Sequence, residues 1–409
     1  VLEIVHEHHE GEKTHRFNST LANLSVGIVE MIIGASSHLI ILFSYAFAFE
    51  YWAILHWSIS PAMWIVGLLA YEFCYYWKHR MGHEVNILWG AHIVHHQSED
   101  MNFSTATRLS ATSSLWGVFF YLPIAILGVN PFVFMVVKAV TLAYQFFIHT
   151  EHIGRLPAWF EYIFNSPAHH RVHHAQQEQY LDKNYGSLLI IWDRLFNTFA
   201  DETTQPVYGA IKQIDSWNPI HVNLAYYKQI MYWMKRCRTS RDKFRLIFGR
   251  PDSIPAYLIN HSSKDRKESV RGDHYAIKKY NAGNHLSPYM KGYAISQFIL
   301  SLCTAFCLLF YYHYLGWWEI ILISCWSLYV LNNLGRLLEG NMESFLKREL
   351  IKYLGLAILL CLVLYWGSFG NPAYWWLFII PIAGILGVLS FRFTLYKKNH
   401  ASRMASTPF

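Results

Sequence analysis

The chain carries little charge for its length. Only 15% of its 409 residues are Asp, Glu, Lys or Arg, whereas about 25% is usual in a soluble globular domain. The six cysteines form no CxxC pair, which argues against a disulfide framework and against a thiolate metal site. The net charge of +7 comes with no nucleic-acid-binding motif, so nucleic acid is not an expected partner. The remaining composition, 53% hydrophobic and 17% aromatic, favours a membrane protein.

Long apolar runs support this reading. A helix that crosses a bilayer needs roughly 17 to 25 mostly apolar residues. Eight segments meet this need and predict an all-α, multi-pass transmembrane helical bundle: 23–49, 61–78, 112–129, 131–148, 292–314, 317–333, 352–368 and 373–396. The third and fourth are joined by Asn130 and Pro131, a turn signal that predicts a hairpin. Residues before 112 and after 148 should therefore share one side of the membrane.

The basic residues divide by side in the same way. The loops near 50–60, 129–131, 315–316 and 369–372 contain no Lys or Arg. The basic residues lie in the opposite segments, which this asymmetry predicts to be cytosolic. The chain then divides into a first membrane half (1–200), a polar and basic cytosolic segment (201–290) and a C-terminal half of four spans (291–409). Because the chain begins with Val1 rather than methionine, a preceding segment is also expected.

Histidine is abundant in this chain. The chain has 23 histidines, and those between residues 79 and 174 fall into four groups on the predicted cytosolic side. On a helix, residues at i, i+3 and i+4 share one face, so each group can direct two or three ring nitrogens towards one point. The groups are His79 with His83; His92 with His95 and His96; His149 with His152; and His169, His170, His173 and His174.

So many imidazoles indicate two metal ions in a cytosolic, histidine-rich cap. A single structural zinc takes four ligands, and imidazole suits zinc, copper or iron, so ligand type alone leaves the metal open. Between residues 79 and 174 there is no ferritin-like Glu-x-x-His pair, and Arg80 after His79 excludes HExxH there. Acidic residues near the groups are candidates to orient the imidazoles: Glu84, Glu99, Asp100, Glu151, Asp182 and Asp193.

The pattern HxxxH, HxxHH and a later HxxHH around a membrane hairpin resembles the fatty acid hydroxylase/sterol desaturase superfamily of non-haem di-iron membrane oxygenases. The phrases "YYWKHRMGHEVNILWGAHIVHHQSEDMNFSTATR" and "NSPAHHRVHHAQQEQYLDKNYGSLLIIWDRLFNTF" resemble the alkylglycerol monooxygenase subfamily. The resemblance covers about residues 60–200, and the C-terminal spans agree with that subfamily.

The resemblance implies two irons, for which zinc can substitute in purified protein, and dioxygen as co-substrate. It makes Glu84 an acidic residue needed for activity. Four further residues near the histidine groups are candidates to support the ligands: His152, His169, Asp182 and Asn184. The metal ligands that it implies are His79, His83, His92, His95, His96, His149, His170, His173 and His174.

The implied reaction hydroxylates a C–H bond of a membrane lipid. For an alkylglycerol, this is the carbon beside the ether oxygen, and the product collapses to an aldehyde and glycerol. No cytochrome b5-like module is fused to the chain, so the reductant should be external, with tetrahydrobiopterin as the candidate or a separate protein as electron donor. The resemblance places such a protein in the endoplasmic reticulum of a eukaryote or the inner membrane of a bacterium.

The sequence leaves three alternative functions to compare with lipid hydroxylation of an alkylglycerol. A sterol or fatty-acyl hydroxylase or desaturase would use the same histidines. A zinc-dependent membrane hydrolase would form product without dioxygen. A transporter is disfavoured, because the ionisable residues inside the predicted spans are few and scattered: Glu30, His38, Glu72 and Lys138.

Overall fold

The computed structural model describes residues 15–211, 213–214, 216–259 and 286–366, together with 3, 5, 7, 382 and 385–389. These residues form helices and contain no β-strand, only two isolated bridges. The longer helices are α1 (Phe17–Trp52), α2 (Pro61–Glu84), α3 (Asn86–His96), α5 (Ser113–Leu127), α6 (Pro131–Ile148), α10 (Pro219–Met234), α11 (Ser240–Phe248), α13 (Pro288–Tyr311), α14 (Trp317–Leu338) and α15 (Met342–Trp366). The short ones are α4 (Phe103–Ala106), α7 (Ala158–Ile163), α8 (Pro167–His173), α9 (Ile191–Leu195) and α12 (Ala256–Ile259).

Four helices are long and apolar enough to cross a membrane: Phe17–Trp52, Pro131–Ile148, Pro288–Tyr314 and Trp317–Leu338. They coincide with four of the predicted spans and confirm the multi-pass, all-helical architecture. The predicted span 61–78 lies within α2, and 352–368 overlaps α15. Residues 373–396 lie almost wholly outside the described part.

The predicted hairpin forms between α5 and α6, but α5 is shorter than expected. Its 15 residues extend about 22 Å at 1.5 Å per residue. The helix stops at Leu127 because Gly128 adopts a left-handed φ of 97°. After the turn, Pro131 begins α6, and the Asn130 side chain accepts a hydrogen bond from the Phe132 N–H at 2.9 Å.

An aromatic core holds the hairpin against α1 and α2. Tyr45 of α1 stacks on Phe134 with ring centres 4.1 Å apart, and Tyr71 of α2 stacks on Tyr121 at 5.3 Å. The Tyr45 hydroxyl donates to the Val129 carbonyl at 2.9 Å, so its polar end is satisfied at the turn. These contacts hold α2 and α6 together with α1, and the histidines lie further along, at the C-terminal ends of α2 and α6.

Helices α10 and α11 join the first half to the last helices. Asn218 caps α10 and donates to the Asn332 carbonyl of α14 at 2.9 Å. The Asn86 amide, at the start of α3, donates to the Leu246 carbonyl of α11 at 2.6 Å. The middle segment therefore packs against both halves in the described residues, and the division at residues 200 and 290 stays a prediction.

Candidate metal centre

Two helices that meet at a bend supply the first histidines. The last turns of α2 carry His79 and His83. Val85 then takes an extended conformation, with φ of −114° and ψ of 119°, which ends α2 and lets α3 start in a new direction. As a result, the α3 histidines face those of α2: the His79 and His92 ring centres are 4.7 Å apart.

The remaining histidines come from the return of the chain through α6. His149 is the C-cap of α6. Helix α8 and its C-cap bring His170, His173 and His174, here called the last histidine box, beside it. Ser166 caps α8 by accepting from the His169 N–H, and Pro167 occupies its first turn, a combination that strongly favours a helix start. The seven-residue α8 is thus held by its cap, while His170 and His173 point inward.

The histidines form two groups whose nitrogens lie within 4.8 Å of one another in each group. The first group, here called site 1, comprises His79, His83, His92, His96 and His173. The second, site 2, comprises His95, His149, His170 and His174. The structure therefore brings together all nine predicted ligands, and their role in metal binding stays a prediction.

Each HxxHH motif directs two of its three histidines to one site, the lower of the two numbers expected. In both motifs, the residues at i and i+4 enter one site and the residue at i+3 enters the other. The reason is helical geometry, since 100° per residue puts i+4 about 40° from i but i+3 about 60° away on the other side. The two sites therefore interlock, and the His96 and His174 rings lie 4.6 Å apart.

The Nε2 atoms within each site lie at distances typical of neighbouring ligands of one metal ion. Nitrogens bound at 2.0 to 2.1 Å are separated by roughly 3 Å from their neighbours. In site 1, His92 Nε2 lies 3.0 Å from the Nε2 atoms of both His79 and His96. In site 2, the Nε2 of His170 lies 2.8 Å from that of His149 and 3.2 Å from that of His174.

The Nδ1 atoms of four site histidines face outward and are held by backbone carbonyls. A carbonyl oxygen only accepts hydrogen bonds, so each such Nδ1 carries the proton and leaves Nε2 with a free lone pair for a metal. The donors and acceptors are His79 to Tyr185 at 2.7 Å, His95 to Arg108 at 3.2 Å, His149 to Gln145 at 2.6 Å and His173 to Lys183 at 2.9 Å.

Two inward nitrogens have no hydrogen-bond partner in the described structure, the Nε2 atoms of His83 and His173. A buried polar atom without a partner is costly, and a lone pair in such a position is what a cation would satisfy. The donor set of both sites therefore fits metal ions, and its all-imidazole character fits iron, zinc or copper.

The site keeps its imidazoles neutral. Burial, together with neighbouring imidazoles, places the pKa of His92, His95 and His96 well below its ordinary value. Burial also lowers the pKa of His149 to about 4. Only the neutral ring offers a lone pair to a metal, so the protein favours the ligand form at neutral pH.

Of the four predicted supporting residues, Asp182 contacts a site histidine. Its carboxylate lies 3.6 Å from His83 Nδ1. Asn184 instead donates to the carbonyls of His169 and Ala200 at 3.0 and 2.8 Å, so it braces the loop after α8.

His169 and His152 lie outside both sites. The Nδ1 atom of His169 accepts from the Ser166 N–H at 3.3 Å and completes the cap of α8. His152 lies 3.6 Å from the Glu7 carboxylate. Neither histidine therefore belongs to site 1 or site 2.

Glu84 lies behind site 1. Its carboxylate is 3.1 Å from Arg80 Nε and 3.5 Å from Arg250 Nη1. Arg250 also pairs with Asp182, the partner of His83. The structure thus links Glu84 to site 1 through Arg250 and Asp182, and its catalytic role stays a prediction.

Two buried side chains support the sites through the backbone. The Asp193 carboxylate accepts hydrogen bonds from the N–H groups of Tyr185 and Gly186, both at 2.7 Å. It thereby fixes the Tyr185 carbonyl, which holds His79. Burial raises the pKa of Asp193 to about 7. Arg108 donates to the Val94 carbonyl at 2.7 Å and presents its own carbonyl to His95. The sequence did not single out Arg108 as a site residue, because a backbone acceptor leaves no mark in the sequence.

A cavity of about 290 Å³ opens beside the two sites. His79 and His92 of site 1 and His95, His149 and His170 of site 2 lie on its wall. Most of the rest of the wall is apolar and includes Leu88, Leu109, Trp116, Phe120, Leu142 and Phe146. A predominantly apolar cavity with a few convergent polar groups is typical of a lipid or small-molecule site.

Comparison with known proteins agrees with this arrangement. The fatty acid hydroxylase family model matches residues 64–198, which contain all nine histidines. The chain is 37% identical over 295 residues to the human alkylglycerol monooxygenase, covering 72% of this chain and 64% of that protein. It is 34% identical over 326 residues to the zebrafish (Danio rerio) alkylglycerol monooxygenase, covering 79% and 71%.

A more distant relative is the ornithine lipid hydroxylase of Rhizobium tropici, 31% identical over 136 residues, or 33% of this chain and 41% of that protein. No solved structure gave a significant match. The chain spans about two thirds of the length of the human and zebrafish proteins. The matched region, its histidines and the shared length show that the chain belongs to the alkylglycerol monooxygenase family.

Proposed function

We propose that the chain is a membrane di-iron monooxygenase that cleaves O-alkylglycerols. The observation that carries this proposal is the pair of interlocked all-histidine sites facing one apolar cavity. The reaction consumes one dioxygen, two electrons and two protons. One oxygen atom enters the C–H bond beside the ether oxygen and the other leaves as water; the resulting hemiacetal collapses to an aldehyde and glycerol.

A redox metal is needed because an unactivated C–H bond offers no acidic proton or leaving group on which side chains could act. When bound, two irons would supply the activation of dioxygen. The ligands we assign are the five histidines of site 1 and the four of site 2. Zinc can occupy the same donors, since imidazole suits both metals.

The protein's own contribution is to position the lipid and exclude water. Apolar side chains such as Trp116, Phe120 and Phe146 line the cavity and would hold an alkyl chain beside the histidines. The backbone acceptors of Tyr185 and Arg108 fix the planes of His79 and His95. Water exclusion strengthens these interactions and suppresses side reactions.

The reductant would come from outside the chain, with tetrahydrobiopterin as our candidate. The histidine sites would face the cytosol, in agreement with the basic residues of the flanking segments. The host membrane would be the endoplasmic reticulum in a eukaryote or the inner membrane in a bacterium.

The test is a metal and substrate assay on protein purified without a metal-affinity resin. We expect two irons per chain and formation of aldehyde from hexadecyl glyceryl ether only with dioxygen and tetrahydrobiopterin. Parallel assays would offer a sterol and a fatty-acyl lipid. Turnover of the sterol or fatty-acyl lipid alone would overturn the proposed substrate, and product formation without dioxygen would identify a hydrolase.

A further inference from the structure

One lysine lies on the wall of the cavity. Lys78 directly precedes His79 near the end of α2 and lines the cavity together with Tyr75 and Gln145. Its Nζ atom is 5.8 Å from the centre of the Tyr75 ring and 5.6 Å from that of Tyr121. Within the described residues, it forms no hydrogen bond or ion pair.

The surroundings of Lys78 do not compensate its charge. Contacts with aromatic faces are weak compared with the loss of water around an ammonium group. The charged side chains that act on it from other helices are Lys138 and Glu30. Lys138 repels it, and the Glu30 carboxylate is 3.0 Å from His38 Nε2. The Lys78 ammonium therefore lacks an acceptor that a ligand in the cavity could supply.

The neighbouring polar groups on this wall are already engaged. The Tyr75 hydroxyl donates to Gln145 Oε1 at 2.7 Å, and Gln145 Nε2 donates to Ser187 Oγ at 2.6 Å. The Tyr75 ring also lies 5.5 Å from the His79 ring, so this polar part of the wall adjoins site 1. Lys78 is thus the donor best placed to bind a new oxygen atom close to the histidines.

We propose that Lys78 is a specificity-determining residue that binds the oxygen-rich head of the lipid substrate. Its ammonium donates hydrogen bonds to the hydroxyl oxygens of the head, while the alkyl chain lies along the apolar wall. This contact keeps the carbon beside the ether oxygen next to the histidines. The identity of the lipid rests on the proposed function. A lipid without such a head would leave the ammonium without a hydrogen-bond acceptor and would therefore bind more weakly. A buried polar group discriminates between substrates in this way.

The test compares Lys78→Met with Lys138→Met in the full chain. Both changes remove an ammonium from a lipid-facing bundle, but only Lys78 lines the cavity. Binding of hexadecyl glyceryl ether and of headless hexadecane is measured in mixed micelles without dioxygen. We expect Lys78→Met to weaken binding of the ether by about tenfold or more and to leave binding of hexadecane and the metal content unchanged. Lys138→Met should change none of these.

The outcomes separate this proposal from the proposed function. Equal binding of the ether by wild type and Lys78→Met, or an equal loss in Lys138→Met, overturns the role of Lys78. If Lys78→Met loses its metal or does not fold, Lys78→Gln replaces it under the same criteria. Binding that depends on Lys78 without any aldehyde formation would leave the head-binding role intact and refute ether cleavage. Where turnover is observed, Lys78→Met should raise KM with little change in kcat.

Discussion

At the scale of the residue, the sites depend on the separate use of the two nitrogens of each imidazole. His79, His95, His149 and His173 each donate from Nδ1 to a backbone carbonyl. Backbone acceptors hold the ring without adding a charge that would compete with the metal. His83 differs, because its Nδ1 faces the Asp182 carboxylate.

Replacing His173 should empty site 1. His173 comes from α8, whereas its partners come from α2 and α3, so His173→Ala removes the one ligand that closes the site. We expect activity to fall by more than about 100-fold, since loss of an outer-sphere partner alone costs 10- to 100-fold. Iron should drop from two to about one per chain, measured by elemental analysis.

His221→Ala is the matched control, because His221 is exposed on α10. It should retain both irons and full activity. Undiminished turnover in His173→Ala would contradict a shared metal centre.

Replacing Glu84 tests whether its carboxylate, which lies behind site 1, supports metal binding through Arg250 and Asp182. Glu84→Gln keeps the size of the side chain but weakens its ion pairs with Arg80 and Arg250. We expect activity or iron affinity to fall by about 10- to 100-fold, and Asp182→Asn to have the same effect. A competition assay with a chelator measures the affinity.

The control is Glu178→Gln, which changes an exposed carboxylate and should have no effect. Because Glu84 and Asp182 act through one network, the double variant should lose less than the product of the two single losses. Fully independent losses would refute this link.

At the scale of the element, the helical repeat distributes the ligands between the sites. His92 and His96 share a face of α3 and enter site 1, while His95 enters site 2. The last histidine box does the reverse, with His173 in site 1 and the pair His170 and His174 in site 2. Each of these two segments therefore contributes ligands to both sites. A metal ion bound at one site should for this reason help to order the ligands of the other.

The turn between α5 and α6 also has a strict local requirement. Gly128 has a φ of 97°, and an added Cβ would lie 2.0 Å from the Leu55 carbonyl oxygen. Gly128→Ala should therefore destabilise the protein by about 1–3 kcal/mol, since both the backbone and its neighbour must move. Thermal unfolding in detergent would show a lower Tm.

Gly154→Ala provides the comparison, because nothing lies within 4 Å of its added Cβ. Its Tm should stay close to that of wild type. An equal Tm for both variants would show that the turn relaxes freely.

At the scale of the whole molecule, the histidine half and the later helices share one core. Leu21 and Ile28 of α1 pack in the same cluster as Leu331 and Leu334 of α14. Helix α10 bridges them, because the Asn223 side chain accepts from the Ala111 N–H at 3.0 Å and Asn218 donates to Asn332. The C-terminal helices therefore support the position of α1, against which the hairpin packs.

The two ends of this bundle should lie on opposite sides of the membrane. Ser58, between α1 and α2, and Asp201, after the last histidine box, are both exposed. In sealed vesicles, a membrane-impermeant thiol reagent should label Ser58→Cys and Asp201→Cys from opposite sides, in a background without native cysteines. Labelling of both from the same side would refute the positive-inside assignment.

The sequence by itself determined the ligand types, their segments and the membrane hairpin. Histidine spacing and apolar run length are local properties, and a helix converts them directly into faces and spans. The i and i+4 pairs, such as His79 with His83, accordingly enter the same site.

Only the tertiary structure decided which histidines share a metal site and what surrounds them. His173 meets His79 because the chain returns through the hairpin and α8, and their ring centres come within 4.4 Å. The Nδ1 acceptors are backbone carbonyls, which every residue has, so no sequence pattern marks them. The unpartnered ammonium of Lys78 is likewise visible only once α2, α3, α5 and α6 enclose one cavity.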